Sequence, residues 1–183
     1  KRRAAREADR RGGRRPELPS HELVEDAVRE HLALFHADTQ PAELHALRTL
    51  ALRWMERLAD FRPHLGGAAW RGTATRRSAL HLDLYCDDAK AAEIALINLG
   101  IDYDAGQLDR SHGEPIVVLT LADRCKALND WVTLHLLVQD LDDLRGALKP
   151  DERGRSWRGD ADALRRLLAE EGDGAGHAAG AGV

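Results

Sequence analysis

The sequence has little cysteine and no long apolar run. Its 183 residues include two cysteines, Cys86 and Cys125, whose wide separation indicates reduced thiols rather than a disulfide framework or a cysteine zinc site. No apolar stretch approaches the roughly 18 residues that a membrane span needs, and no signal-peptide pattern is present. We therefore expect a cytoplasmic protein that makes no contact with a membrane.

Charge, in contrast, is abundant and unevenly distributed. Charged residues make up 32% of the chain and hydrophobic residues 43%, which is typical of a soluble globular protein. Residues 1–15 carry eight basic side chains against Glu7 and Asp9, a net +6 within a chain of net charge −4. We predict a basic arm over residues 1–19. Because it has no interleaved aromatic residues, a solvated or helical arm is favoured over nucleic-acid binding.

Residues 20–64 have helical periodicity. Ser20 is a candidate N-cap, and Val24, Val28, Leu32 and Phe35 follow it at spacings of three to four residues. A second helix is predicted from Thr39-Gln40-Pro41, because proline is tolerated in the first turn of a helix. This segment is therefore expected to be a helical extension in front of the rest of the chain.

After Gly66-Gly67 the hydrophobic period changes to two, which is typical of strands. We predict an α+β fold with a mixed sheet in a core over residues 65–150, then a C-terminal helix over 151–171 and a flexible tail over 172–183. Inside the core, a helix capped by Asp87 or Asp88 is expected to turn Ala91, Ile94 and Ile97 inward and to close at Gly100. The predicted strands are "AAWRG", "ALHLDLYC", "IDYDAG", "PIVVLTL" and "WVTLHLLV".

Two of these strands have one aliphatic face and one face with titratable groups. Around residue 82 the leucines alternate with His81 and Asp83, and "WVTLHLLV" places His135 on its less apolar face. If the two strands are neighbours, these three side chains lie together above the sheet. A histidine between leucines is equally typical of a surface position. The aliphatic residues expected to be buried are Leu82, Leu84, Leu134, Leu136 and Val138.

The stretch "RPHLGGAAWRGTATRRSALHLDLYCDDAKAAEIALINLGIDYD" contains a Gly72-Thr73 turn, a strand carrying Asp83 and a helix beginning after Asp87-Asp88. In this order it resembles the nucleotidyltransferase fold of the DNA polymerase β-like superfamily, and more narrowly a group of short, poorly characterised bacterial proteins. The resemblance implies a nucleotidyltransferase-like core with helices on one face of the sheet. It also implies a nucleotide as partner. It leaves the acceptor and the oligomeric state open.

The same resemblance assigns roles to individual residues. Gly72 and Thr73 match the pair that holds the terminal phosphates of the nucleotide, and Arg76 and Arg77 follow them as phosphate-binding candidates. Asp83 matches a catalytic acid that binds Mg²⁺, whose preferred ligands are hard oxygens. The positions of the other two acids are occupied by His81 and His135.

Three functions remain open at this point. The first is an enzyme that transfers a nucleotidyl group to an unknown acceptor, with Asp83 as the surviving metal ligand. The second is a catalytically degenerate nucleotidyltransferase-like module that binds a nucleotide or a partner. The third is a transition-metal site, because His81, Asp83 and His135 supply two imidazoles and one carboxylate.

Overall fold

The computed structural model of the protein describes residues 20–110, 113–151 and 153–178, so the predicted basic arm lies outside the described residues. Within these ranges the chain forms six helices and six strands. The helices are α1 (His21–Phe35), α2 (Gln40–Arg57), α3 (Gly67–Arg71), α4 (Ala89–Asn98), α5 (Leu144–Ala147) and α6 (Ala161–Ala178). The strands are β1 (His64–Gly66), β2 (Leu80–Tyr85), β3 (Asp104–Leu108), β4 (Ile116–Cys125), β5 (Asp130–Gln139) and β6 (Arg158–Gly159).

The described residues form two units, divided between Ala37 and Asp38. The first contains α1, which begins as predicted at Ser20, whose hydroxyl accepts a hydrogen bond from the backbone N–H of Leu23 at 3.2 Å. The expected apolar face of α1 is largely exposed, with Leu32 as its buried member. The second unit contains the sheet and also α2, which the sequence analysis had grouped with α1.

The sheet of the second unit has the strand order β3-β4-β5-β2-β1-β6. Its central pair, β2 and β5, is parallel, and every other neighbouring pair is antiparallel. The predicted α+β fold with a mixed sheet is therefore confirmed. The strands that end near Cys86 and Val138, β2 and β5, are direct neighbours, which meets the condition set in the sequence analysis.

One face of this sheet is aliphatic and packs against helices. All five side chains predicted to be buried there are at most 5% exposed, and they join a single cluster with residues of α2, α4 and α6. Complete burial of an aliphatic side chain of this size stabilises a fold by about 1.5–3 kcal/mol. The hydrophobic effect on this face therefore fixes which side of β2 and β5 points away from the helices.

The prediction of a strand over residues 68–72 is wrong, because this segment is the short helix α3. Gly66 begins it in an extended conformation, and Gly72 ends it in the left-handed region with φ +82°. Such a residue is a common helix terminator. The buried guanidinium of Arg48 donates hydrogen bonds to the carbonyls of Ala69 and Trp70 at 2.8 and 2.9 Å. These contacts satisfy carbonyl groups at the end of the helix that would otherwise be unpaired.

Helix α4 has the predicted Asp88 cap and is followed, after Leu99, by Gly100, which has φ +67°, but its inward face differs from the prediction. Ala92 and Leu96, four residues apart, are the buried pair, whereas Ile94 and Ile97 are 54% and 62% exposed. Residues separated by four lie on the same helical face. The helix therefore packs on the face centred on Ala92 and Leu96, to which the larger isoleucines do not belong.

The C-terminal segment is a short strand followed by a helix, rather than one helix over 151–171. Arg158 and Gly159 form β6, which pairs with β1, and α6 begins only after Asp160, whose carboxylate accepts the N–H of Ala163 at 2.8 Å. The helix continues to Ala178, through part of the predicted flexible tail. Among the described residues, none of the helices combines the length and apolar character needed to cross a membrane.

Candidate functional site

The parallel pairing of β2 and β5 brings two of the predicted site residues together. His81 is directly opposite His135 in the register, and the centroids of their rings are 5.2 Å apart. Thr120 of β4 pairs with His135 in turn, and its hydroxyl lies 3.0 Å from His135 Nδ1. A row of polar side chains therefore crosses three neighbouring strands on the face opposite the aliphatic core; we call this side of the sheet the polar face.

Asp83 lies two residues after His81 on β2 and therefore on the same face. It is only 6% exposed, so its charge must be balanced within the protein. Arg158 Nη1 lies 3.2 Å from Asp83 Oδ2, and the side-chain amide of Gln139 donates a hydrogen bond to Oδ1. Burial raises the pKa of Asp83, whereas Arg158 and Gln139 oppose that rise by favouring the carboxylate. The carboxylate is thus already paired with a cation and an amide.

Arg158 reaches Asp83 because β6 pairs with β1. Arg158 is opposite Gly66 in that pairing, and its Nη1 also donates a hydrogen bond to the hydroxyl of Tyr85 at 2.8 Å. The segment before β6 is held by the buried carboxylate of Asp151, which accepts a hydrogen bond from Arg71 at 3.0 Å. Contacts of residues 151–159 with β1 and α3 therefore place a guanidinium on the polar face.

The electrostatics of His81 differ from those of Asp83. Partial burial and the adjacent imidazole of His135 lower the pKa of His81, although Asp83 acts in the opposite direction. The pKa of an unperturbed histidine is about 6.5. His81 is therefore neutral at pH 7 and contributes neither a negative charge for a cation nor a positive charge for an anion.

The hydrogen-bond network continues beyond Asp83 to the end of β5. Arg110 donates to the side-chain carbonyl of Gln139 at 3.0 Å and pairs with Asp143 at 2.7 Å. A cleft of about 430 Å³ opens here, at the carboxyl ends of β2 and β5, and Gln139 is part of its lining. The two bonds on opposite ends of the Gln139 amide fix its orientation and connect the cleft to Asp83.

Two glycines lie directly beside these side chains. A Cβ atom built on Gly66 would lie 3.5 Å from Asp83 Oδ2, and one built on Gly67 would lie 3.4 Å from His81 Nδ1. Gly67 also has φ +63°, a conformation that favours glycine. The junction between β1 and α3 therefore faces the polar groups of β2 with backbone alone.

The predicted phosphate-binding residues lie at the other end of α3. Gly72 follows its C-terminus, roughly 7.5 Å along the helix axis from the Gly66-Gly67 junction. The backbone N–H of Thr73 donates to the carbonyl of Ala68, and the carbonyl of Gly72 accepts a hydrogen bond from Gln40. Both backbone groups are therefore hydrogen-bonded within the protein. The nucleotide-binding role of Gly72 and Thr73 stays a prediction.

Arg76 and Arg77 are both exposed in the loop that leads to β2. The backbone N–H of Arg76 donates to Glu43 at 2.9 Å, and its guanidinium lies 3.3 Å from Asp130. The surroundings of Arg76 are therefore acidic. The proposed phosphate contacts of the two arginines also stay predictions.

The described residues contain no group of three or more histidine, cysteine, aspartate or glutamate side chains that could hold a metal ion. His81 and His135 are adjacent, but the carboxylate of Asp83 is directed to Arg158 and Gln139 instead. In this structure the three residues therefore do not form the predicted set of two imidazoles and one carboxylate.

The residues that the sequence analysis missed are the partners of Asp83. Gln139 follows the strand predicted over 131–138 and continues its alternation from His135, so extending that pattern would have included it. Arg158 had no comparable signal, because its position depends on a two-residue strand in a segment expected to be helical.

No protein-family model matches the chain, and no curated protein matches it. The chain is similar to solved structures of the Cid1 poly(U) polymerase with MgGTP bound (13% identity, TM-score 0.41, 66% of this chain and 39% of that chain) and with the UTP analogue UMPNPP (15%, 0.40, 66% and 37%). It is also similar to a cytoplasmic RNA terminal U-transferase (15%, 0.42, 65% and 37%). The chain spans about two fifths of the length of these proteins.

Proposed function

We propose that the second unit is a nucleotidyltransferase-like module that binds a nucleotide on the polar face of its sheet and does not transfer it by magnesium-dependent chemistry. The observation that carries this proposal is the state of Asp83. Its carboxylate is buried and paired with Arg158 and Gln139. An acid in this environment serves as a counter-ion within the protein.

The donor set of the polar face does not fit magnesium. On β1, β2 and β5 this face carries one carboxylate, Asp83, together with the imidazoles of His64, His81 and His135. Magnesium requires near-octahedral oxygen ligands and is usually bound through one or two carboxylates with several waters. Here the single negative charge is offset by Arg158, so the site has no net negative charge to attract a divalent cation. No catalytic step through such an ion is therefore proposed.

The nucleotide part of the proposal is supported by the order of elements around the site. The Gly72-Thr73 turn, the Asp83 strand and the following helix, on which the sequence resemblance rests, correspond to the residues after α3, to β2 and to α4. Gly67 and His81 are exposed, so a ligand has access to this part of the polar face, whereas Gly66 and Asp83 are buried beneath it.

The test combines a binding measurement with a transfer measurement on the full chain. Binding of the four ribonucleoside triphosphates is measured by isothermal titration calorimetry, and transfer is measured with α-labelled triphosphates in Mg²⁺ or Mn²⁺. We expect micromolar to millimolar binding and no label transferred to the protein or to added RNA. Label transfer by the wild-type chain that Asp83→Asn abolishes would show that the module is an enzyme.

The same titrations test the predicted phosphate contacts. Thr73→Ala should weaken nucleotide binding if Gly72 and Thr73 contact the phosphates, and Arg76→Gln and Arg77→Gln should act in the same direction. An affinity unchanged by all three substitutions would locate the ligand at the other end of α3, near Gly66. Arg124→Gln, an exposed arginine on β4, is the matched control for loss of one positive charge.

A further inference from the structure

The guanidinium of Arg158 lies beside the carboxylate of Asp83 and neutralises its negative charge. An arginine side chain has five N–H donors in a fixed planar arrangement. Nη1 is used by Asp83 and by the hydroxyl of Tyr85, at 3.2 and 2.8 Å. Nε is buried and has no acceptor among the described residues. The guanidinium therefore has donor capacity that the protein itself does not use.

An unused buried donor is unusual in folded proteins. Most buried N–H groups are paired, and leaving one without an acceptor costs free energy. The side chain of Arg158 remains 25% exposed, so part of it is accessible from solvent. An acceptor-rich ligand that reaches this group would recover the missing hydrogen bond.

Gly66 is a buried glycine in contact with both members of this ion pair. Gly66 is opposite Arg158 in the pairing of β1 with β6, and a Cβ atom there would lie 3.9 Å from Arg158 Cβ and 3.5 Å from Asp83 Oδ2. The methyl group of an alanine at this position would therefore make ordinary van der Waals contact with both side chains and reduce the free volume beside them. Its φ of −122° is accessible to any residue, so the substitution introduces no backbone strain.

We propose that Arg158 replaces the divalent cation of this site and binds the phosphate groups of the nucleotide directly, without metal. This inference rests on the proposed function and adds the ligand group and the residue that binds it. The planar fork of an arginine matches the oxygens of a phosphate. Asp83 then orients the guanidinium of Arg158 through their ion pair. In a metal site, the same carboxylate would bind the ion itself.

The two arrangements predict opposite responses to two changes. In a metal site, chelation of divalent ions and Asp83→Asn both abolish phosphate binding, because each removes the cation. In the arginine site, chelation leaves the affinity unchanged within about twofold. Asp83→Asn leaves it unchanged or increases it, because the amide oxygen can still accept a hydrogen bond from Arg158 while the negative charge beside it is removed.

The experiment uses the full chain, with tripolyphosphate and ATP as probes, titrated by calorimetry in EDTA and in Mg²⁺. Arg158→Gln removes the charge, and Arg158→Lys keeps the charge but loses the planar fork. Arg165→Gln, on α6, is the matched control, because its guanidinium is paired with Glu56 and Asp162 away from the polar face. Circular dichroism melts confirm that each variant is folded.

We expect equal binding in EDTA and Mg²⁺, at least a tenfold loss for Arg158→Gln, a smaller loss for Arg158→Lys, and less than a twofold change for Arg165→Gln. Gly66→Ala should also weaken binding. If Arg158→Gln fails to fold, the losses for Arg158→Lys and Gly66→Ala decide. Wild-type affinity in the folded Arg158 variants would overturn the inference.

The outcomes also separate this inference from the proposed function. Binding of tripolyphosphate that depends on Arg158, without binding of any nucleotide, would support the arginine site and refute the nucleotide module. Binding of ATP that requires Mg²⁺ and Asp83 would support a nucleotide site and refute the role of Arg158.

Discussion

Strands β2 and β5 contribute leucines to one face of the sheet and titratable side chains to the other. On the aliphatic face, each side chain is held by the sum of many weak contacts with α2, α4 and α6. On the polar face, Asp83 depends on two specific partners that come from distant parts of the sequence. The comparison teaches that burial makes the first face stable, whereas pairing of individual groups determines what the second face can bind.

The largest expected effect comes from replacing one leucine on each face of β5 by alanine. Leu134 is fully buried on the aliphatic face, and Leu137 is partly exposed on the polar face. Leu134→Ala should lower the free energy of unfolding by about 2–5 kcal/mol, because it leaves a cavity in the core. Leu137→Ala should cost about 1 kcal/mol or less. Urea denaturation of both variants checks this difference, and equal losses would show that both faces are packed as core.

Two glycines on the paired strands β1 and β6 give the next largest difference. A Cβ atom on Gly159 would collide with the ring of Trp70, whereas one on Gly66 would make ordinary contacts on the polar face. Gly159→Ala should therefore destabilise the protein by about 1–3 kcal/mol through overpacking. Gly66→Ala should change the unfolding free energy by about 0.5 kcal/mol or less, while reducing access to Arg158. Thermal melts of the two variants provide the measurement, and the reverse order of stability would contradict the packing of Trp70 on β6.

These differences explain which parts of the molecule were predictable from sequence. Alternation identified the buried leucines, because a period of two is a local property of each strand. Helix α3 was mistaken for a strand, because five residues are too few for a helical period to be recognised. Arg158 was missed because its contact with Asp83 joins residues 75 positions apart through the pairing of β6 with β1. A single sequence contains no local signal for such a contact.

Restoring the missing acid should convert the polar face into a cation site. In the double variant His81→Asp, Arg158→Gln, two carboxylates alternate on β2 and the competing guanidinium is absent. We expect Mg²⁺ to stabilise this variant by about 1.4 kcal/mol at a concentration tenfold above its Kd, measured by urea denaturation with and without Mg²⁺. Arg158→Gln alone is the control and should respond less. Equal responses of the two proteins would show that position 81 does not contribute to cation binding.

The smallest expected effect is a change in the pH dependence of stability caused by His81. Partial burial and His135 lower the pKa of His81 in the folded protein, whereas in the unfolded chain it is about 6.5. As the pH falls below 6.5, the unfolded chain therefore binds a proton that the folded protein does not, and stability decreases until the lowered pKa is passed. His81→Gln should remove this loss, and His135→Gln should reduce it, because the neighbouring imidazole accounts for part of the shift. Urea denaturation at a series of pH values between 7.5 and 5 measures the slope. If His81→Gln has the same slope as the wild-type protein in this window, the imidazole is solvated as in the unfolded chain, and the polar face does not perturb it.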